Sequence, residues 1–183
     1  MSRTLLLCAL LMANVAFASD VKDTARVAAV LARILGYEKT LSGRANGRVD
    51  VTVVFKKGDG ASENEAAGFE AALAALGTTE VVGLPLRWNK VDASPASLKE
   101  AVGAGTDVFV LCRGTEGELA AATALGADKG ILTVGLSRSF AEKGAAVALD
   151  RVGESIKIII NGESLKSAKV QFATQLLRVA EVL

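Results

Sequence analysis

The chain has no histidine anywhere in its 183 residues. That absence removes the side chain that ordinarily serves as a general base near neutral pH, together with the commonest metal ligand. Ser-His-Asp and Cys-His catalytic arrangements are excluded outright. Cysteine is almost as scarce, with only Cys8 and Cys112, too few for a tetrahedral zinc site without imidazole. No charge of either sign dominates, since 21 Lys and Arg stand against 20 Asp and Glu. A general nucleic-acid binder would carry a basic excess. Nothing in the composition calls for a metal or a cofactor.

The N-terminus reads as a secretory signal. Arg3 is its only charge, Leu5 to Val15 form a short apolar core interrupted by Asn14, and Ala16-Phe17-Ala18 supplies small residues at the cleavage site. The apolar run falls short of the roughly 20 residues that span a bilayer, and Leu7 before Cys8 does not fit a lipoprotein site. Cleavage after Ala18 leaves residues 19–183 as a periplasmic chain with one cysteine, Cys112, and balanced charge. Such a chain makes no internal disulfide and has no segment left for direct membrane insertion. Cys112 lies in the apolar run from Val108, which reads as a buried core thiol. A reactive or intermolecularly bridged thiol is the other reading.

Past the signal, apolar runs alternate with amphipathic stretches. Val21 to Leu41 reads as a helix, with Val27, Val30, Leu31 and Ile34 at helical spacing. Ser42 to Gly47 reads as a turn and Val49 to Phe55 as a strand. Ser62 and Glu65 form a capping-box pattern for a helix to Ala75 or Leu76, which Gly77 stops. Glu80 to Trp88 reads as a strand in which Pro85 implies an edge or a bulge. Ser94-Pro95 opens a helix to about Val102. Asp107 to Cys112 and Ile131 to Leu136 are further strands, with Glu116 to Leu125 a helix between them. Ala145 to Leu149 and Ile156 to Ile160 read as a hairpin about the turn 150–154. Ser164 to Val182 reads as a closing helix with the stripe Leu165, Ala168, Phe172, Leu176 and Val179, which Leu177 and Ala180 widen. The expected fold is therefore one α/β domain over 19–183. It has a largely parallel sheet of βαβ units, a C-terminal β-hairpin and a final packing helix.

Few residues carry chemistry. Gly135-Leu-Ser137-Arg-Ser139 resembles a nucleophile elbow but lacks the closing glycine and a histidine partner. Glu63, Glu65, Asp92, Glu116 and Glu118 flank amphipathic helices on the polar side, as solvated charges do. Lys57-Gly-Asp-Gly60 leads into a helix and could cradle an anion, but a strand-to-helix turn also explains both glycines. Gly103-Ala-Gly105 reads as a helix stop. Arg87 and Trp88 form a candidate interaction pair, both types being favoured at binding hot spots. An aromatic ring packed on an edge strand explains Trp88 almost as well. These residues describe a binding or interaction protein rather than an enzyme.

From about residue 106 onward a series of segments occurs in a familiar order. They are Asp107-Val-Phe-Val-Leu, Ile131-Leu-Thr-Val-Gly, Phe140-Ala-Glu-Lys-Gly144, Ile158-Ile-Ile-Asn161 and Leu176-Leu-Arg-Val-Ala-Glu-Val182. In order and spacing the chain resembles the YfiR/HmsC-like family of bacterial periplasmic proteins. It departs from that pattern at Tyr37-Glu-Lys-Thr, where the family often has an aromatic-rich segment ending near Trp-Pro. It departs again at Ala145, at Ile160 and in lacking paired cysteines, so redox control by an internal disulfide is not carried over. The resemblance assigns Phe140, Gly144, Asn161, Leu176 and Leu177 structural or interface roles. It implies a repressor that binds the periplasmic part of a membrane diguanylate cyclase or sensor kinase and so lowers cyclic-di-GMP and biofilm formation. Self-association into a homodimer stays open. The alternative is a small-molecule-binding protein, because ligands of such sheets sit at the carboxyl ends of strands. Here those ends carry the loops Lys56–Ser62, Arg113–Glu116 and Ser137–Phe140.

Overall fold

A computed structural model describes residues 23–77 and 79–183. The signal segment, its cleavage site after Ala18 and Cys8 lie outside the described residues. Among those described, no helix is long and apolar enough to cross a membrane. Helix α1 (23–35) and the single turn α2 (Leu41–Arg44) precede β1 (Val49–Phe55), α3 (Gly60–Ala75), β2 (Glu80–Val81) and β3 (Leu84–Asp92). Then come α4 (Pro95–Gly103), β4 (Val108–Leu111), a 3-10 turn (Glu116–Glu118), α5 (Leu119–Lys129), β5 (Leu132–Gly135) and α6 (Arg138–Glu142). The chain closes with β6 (Val147–Val152), β7 (Ser155–Ile160), α7 (Gly162–Ser167), α8 (Thr174–Leu177) and β8 (Glu181–Val182).

The strands form one eight-stranded sheet in the order β2-β3-β1-β4-β5-β6-β7-β8. From β3 to β6 every neighbour is parallel. Only the β2–β3 and β6–β7 pairs are antiparallel. Helices cover both faces, which explains the unbroken apolar runs of the inner strands. Along β4, Val108 and Val110 join the core cluster under α1 and α3, whereas Phe109 and Leu111 join the one under α4 and α5. The connection from β1 leads to β3 on one side, and the next leads back to β4 on the other. The crevice between the carboxyl ends of β1 and β4 is therefore the topological switch point, where this architecture places ligands.

The α/β class, the parallel βαβ sheet and the hairpin are as expected, but several elements differ in extent. The strand expected over 80–88 is a tight hairpin, because Val82 and Gly83 both turn left-handed (φ 50° and 77°). β3 then runs on to Asp92. The opening helix stops at residue 35 rather than Leu41, because Glu38 is drawn into a β-bridge with Phe172. Asp59, not Ser62, caps α3, accepting from Ala61 N and Ser62 N at 3.0 and 3.2 Å. The Ser62 side chain instead accepts from Lys56 N at 2.9 Å. The closing helix is the largest correction. Helix α7 does pack Leu165 into the core, but Lys169 turns left-handed (φ 56°) and ends it. Val170 and Phe172 are buried on either side of exposed Gln171, a period of two that no helix satisfies. Leu177 and Val179, expected in the buried stripe, are 39% and 74% exposed.

Candidate functional site

The three loops at the carboxyl ends of the parallel strands come close together but leave their polar groups little to offer. Gly58 N donates to Glu63 Oε1 at 2.9 Å and Lys57 N to Asp92 Oδ1 at 3.0 Å. Across the switch point, Arg113 N donates to Glu65 Oε2 at 2.6 Å, and the Arg113 guanidinium reaches Glu65 Oε1 at 3.0 and 3.1 Å. A side chain at Gly114 would come within 2.8 Å of Asp59 Oδ2, so the β1 and β4 loops already touch. In the third loop Arg138 N donates to Asp150 Oδ1 at 3.1 Å. Its guanidinium is held by Glu142 and Glu181 at 2.7 and 2.6 Å. The bond from Arg138 keeps the Glu181 carboxyl below the usual carboxylate range. Lys57 N, Gly58 N, Arg113 and Arg138, which could otherwise meet an anion, are thus occupied by the chain's own carboxylates. Glu63, Glu65 and Asp92, which the sequence places on solvated surfaces, are the groups that fill them.

The residues singled out by family resemblance fall in two classes. Phe140 is buried, with its ring lying directly over Gly135, where any side chain would collide with it. Gly144 takes φ 114° just beyond α6. Asn161 caps α7, accepting from Ser164 N at 3.0 Å, and its amide donates to Ala141 O at 2.9 Å. Leu176 is buried. Leu177 alone faces outward. It belongs to the helical turn opened by Ala173, whose N–H donates to Tyr37 O at 2.9 Å. Tyr37, Leu177 and Val179 therefore put exposed apolar side chains at neighbouring places near the C-terminus.

Arg87 and Trp88 lie at the other side of the sheet, on β3. Trp88 is half-buried against the larger core cluster and Arg87 is exposed. Both border an open cleft of about 520 Å³ with Gly77, Thr79, Glu80 and Pro85. Cys112 is fully buried, and burial drives its thiol pKa upward, which keeps it in the unreactive protonated form. Among the described residues, no group of three or more carboxylate or thiol side chains is placed to hold a metal ion.

A buried charge cluster escaped the sequence reading. The Glu38 carboxylate, 2% exposed, accepts from Thr40 N, Thr40 Oγ1 and Arg44 Nη1 at 2.8, 2.6 and 2.7 Å. Nearby Asp107 accepts from Asp50 N at 2.9 Å. Its carboxyl pKa is raised chiefly by burial, against the opposing pull of the Asp50 N–H and of Arg44. Spacing gives no signal for this cluster, because burial of Glu38 and the approach of Asp107 to Asp50, 57 positions away, arise only in the folded chain.

The solved structures that share the fold include the following three. A conserved domain protein from Vibrio cholerae O1 biovar El Tor aligns with TM-score 0.60 and 14% identity, over 87% of this chain and 59% of its own. A substrate-binding protein with adhesive properties from Clostridium difficile, in a ligand-free open structure, aligns with TM-score 0.58 and 11% identity, over 79% and 57%. An ABC domain from Streptococcus pneumoniae in complex with L-Trp aligns with TM-score 0.57 and 9% identity, over 82% and 60%. The chain spans about three fifths of the length of these proteins, and at such identities the likeness concerns fold alone. No curated protein gives a significant sequence match. The YfiR/HmsC-like family model, in contrast, matches residues 25–181, nearly the whole described region. By this match the chain belongs to the YfiR/HmsC-like family.

Proposed function

We propose that the exported chain binds the periplasmic part of an inner-membrane signalling protein, a diguanylate cyclase in the first instance, and holds it inactive. The family match over residues 25–181 is the observation that carries this reading. Two features of the geometry support it. At the switch point Lys57 N, Gly58 N and Arg113 are already bonded internally, which disfavours the solute-binding alternative. Tyr37, Leu177 and Val179 supply exposed apolar surface of the kind used in protein contacts. A protein exported by its signal peptide lies outside the cytoplasmic nucleotide pool, so any influence on cyclic-di-GMP passes through a partner that crosses the membrane.

Deletion of the gene is expected to raise cyclic-di-GMP and biofilm, and complementation to restore both. The tagged mature chain is expected to recover a membrane cyclase or sensor kinase from detergent extracts. Leu177→Glu and Val179→Glu, at exposed positions, are expected to keep the fold and lose repression. Unchanged cyclic-di-GMP on deletion, with no membrane protein recovered, refutes the reading.

A further inference from the structure

The balanced net charge of the chain conceals a division. Residues 49–118, which build α3, α4 and the strands β2, β3, β1 and β4, hold 11 Asp and Glu against 6 Lys and Arg. The other described residues, 23–48 and 119–183, hold 8 Asp and Glu against 13 Lys and Arg. The sheet order puts β2, β3, β1 and β4 at one side and β5 to β8 at the other. The segment 23–48 is fastened to the basic side. Asp23 meets Arg151 at 3.2 Å, Arg26 donates to Glu154 O at 3.2 Å, and Glu38 bridges to Phe172. The fold is therefore an electric dipole, a net −5 against a net +5.

Exposed apolar side chains follow the same division. Tyr37, Val152, Leu177, Val179, Val182 and Leu183 all belong to the basic set. Beside three of them the charge is also uncommitted. Arg33 stands one helical turn before Tyr37, Lys39 two residues after it, and Arg178 between Leu177 and Val179. All three cations are exposed, and none pairs with a described carboxylate. The nearest carboxylates in sequence are taken. Glu38 is buried against Arg44 at 2.7 Å, and Glu181 is held by Arg138 at 2.6 Å. Backbone bonds from Lys39 N to Gln171 O and from Ala173 N to Tyr37 O join the two stretches.

We propose that the face carrying Tyr37, Leu177 and Val179, with Arg33, Lys39 and Arg178 about it, receives an apolar patch bordered by carboxylates on the partner's periplasmic part. This rests on the regulatory reading and adds to it the chemistry of the partner's surface. Exposed aromatic and aliphatic groups supply the contact, and cations without internal counter-ions match carboxylates supplied from outside the chain. The acidic side of the sheet is repelled by that same surface, so the field of the dipole turns the basic face toward the partner before contact. Tyr37 and Leu177 are only 38% and 39% exposed, which suits close contact with a protein rather than insertion among lipid chains.

The test compares charge variants of the full chain in a strain lacking the gene, with cyclic-di-GMP as the readout. Arg33→Glu, Lys39→Glu and Arg178→Glu together are expected to lose about half or more of the repression. Arg33→Lys, Lys39→Arg and Arg178→Lys together keep the charge and are expected to retain it. Lys56→Glu, Lys57→Glu and Lys99→Glu make an equal change of net charge at exposed places on the acidic side, and are expected to retain it as well. Each variant is expected to match the parent in periplasmic level and circular dichroism. Arg178→Glu alone, expected to lose part of the repression, carries the test should the triple reversal misfold. If deletion raises cyclic-di-GMP but the reversals at 33, 39 and 178 repress as the parent does, this face is wrong and the regulatory reading stands. If the reversals at 56, 57 and 99 lose repression equally, net charge and not this face is responsible, and the proposal falls. If deletion changes nothing, the regulatory reading and the proposal fall together. Co-sedimentation of the chain 19–183 with vesicles of phosphatidylglycerol and phosphatidylcholine, abolished by the reversals at 33, 39 and 178, assigns the face to lipid and also overturns the proposal.

Discussion

Replacing Glu38 by alanine is expected to destabilise the fold by about 3 kcal/mol. The carboxylate is fully buried and joins Arg44, whose side chain is 20% exposed, at 2.7 Å. Breaking such a pair strands a charge and costs about 3–5 kcal/mol when both partners are buried. Partial exposure of Arg44 puts the expectation at the lower end. With a urea dependence of about 2 kcal/mol/M for a domain of this size, the unfolding midpoint should fall by roughly 1.5 M. Trp88, the only tryptophan, provides the fluorescence signal. Glu38→Gln keeps an acceptor for Thr40 and should cost about half as much. The double variant Glu38→Leu, Arg44→Met should recover to within about 1 kcal/mol of the parent. The reason is that Arg44 Nε and Nη2 are buried without partners, so the pair offsets its desolvation incompletely. Backbone bonds from Lys39 N to Gln171 O and from Ala173 N to Tyr37 O flank Glu38, whose carboxylate also accepts from Gln171 N at 3.4 Å, and amide exchange at Lys39 and Ala173 should accelerate in Glu38→Ala. A loss below about 1 kcal/mol, or a double variant no better than the single, refutes the assignment.

Three further outcomes follow from the geometry. Asp107 has a folded pKa above its ordinary 3.8, so the stability it contributes is present in acid and is lost as pH rises through that folded value. Asp107→Asn, which keeps an acceptor for Asp50 N, should flatten the slope of unfolding free energy against pH in that range, and an unchanged slope refutes the account. Gly135→Ala drives a methyl into the Phe140 ring and should cost about 1–3 kcal/mol by thermal or urea unfolding. Asp59→Ala removes the α3 cap and should cost about 1 kcal/mol in urea unfolding; an unchanged midpoint refutes the capping role.

The βαβ succession was legible because each inner strand is a short apolar run between caps that function locally, such as Ser94 before Pro95. The C-terminal segment was not. Leu165, Ala168, Phe172 and Leu176 keep helical spacing, but Glu38 at the far end of the chain fixes Phe172 in a bridge. The family motifs identified the class of protein, but they marked packing residues such as Phe140 and Asn161 more than surface. The closure of the switch point was hidden for the same reason. Glu65 and Arg113 are 48 positions apart, and a solvated helix face is the ordinary reading of either charge.

The burial of Cys112 gives the protein an internal clock. Cys112 is the one cysteine among the described residues, and its backbone N–H is tied to Val54 O at 3.0 Å between two central strands. A thiol reagent can reach it only when those strands separate, so the rate of labelling measures how often the core opens. In an oxidising compartment the same event has a lasting outcome. A chain that opens exposes this thiol, which can then form a bridge to another molecule. Misfolding in this protein would therefore leave a covalent record, whereas every intact copy stays reduced.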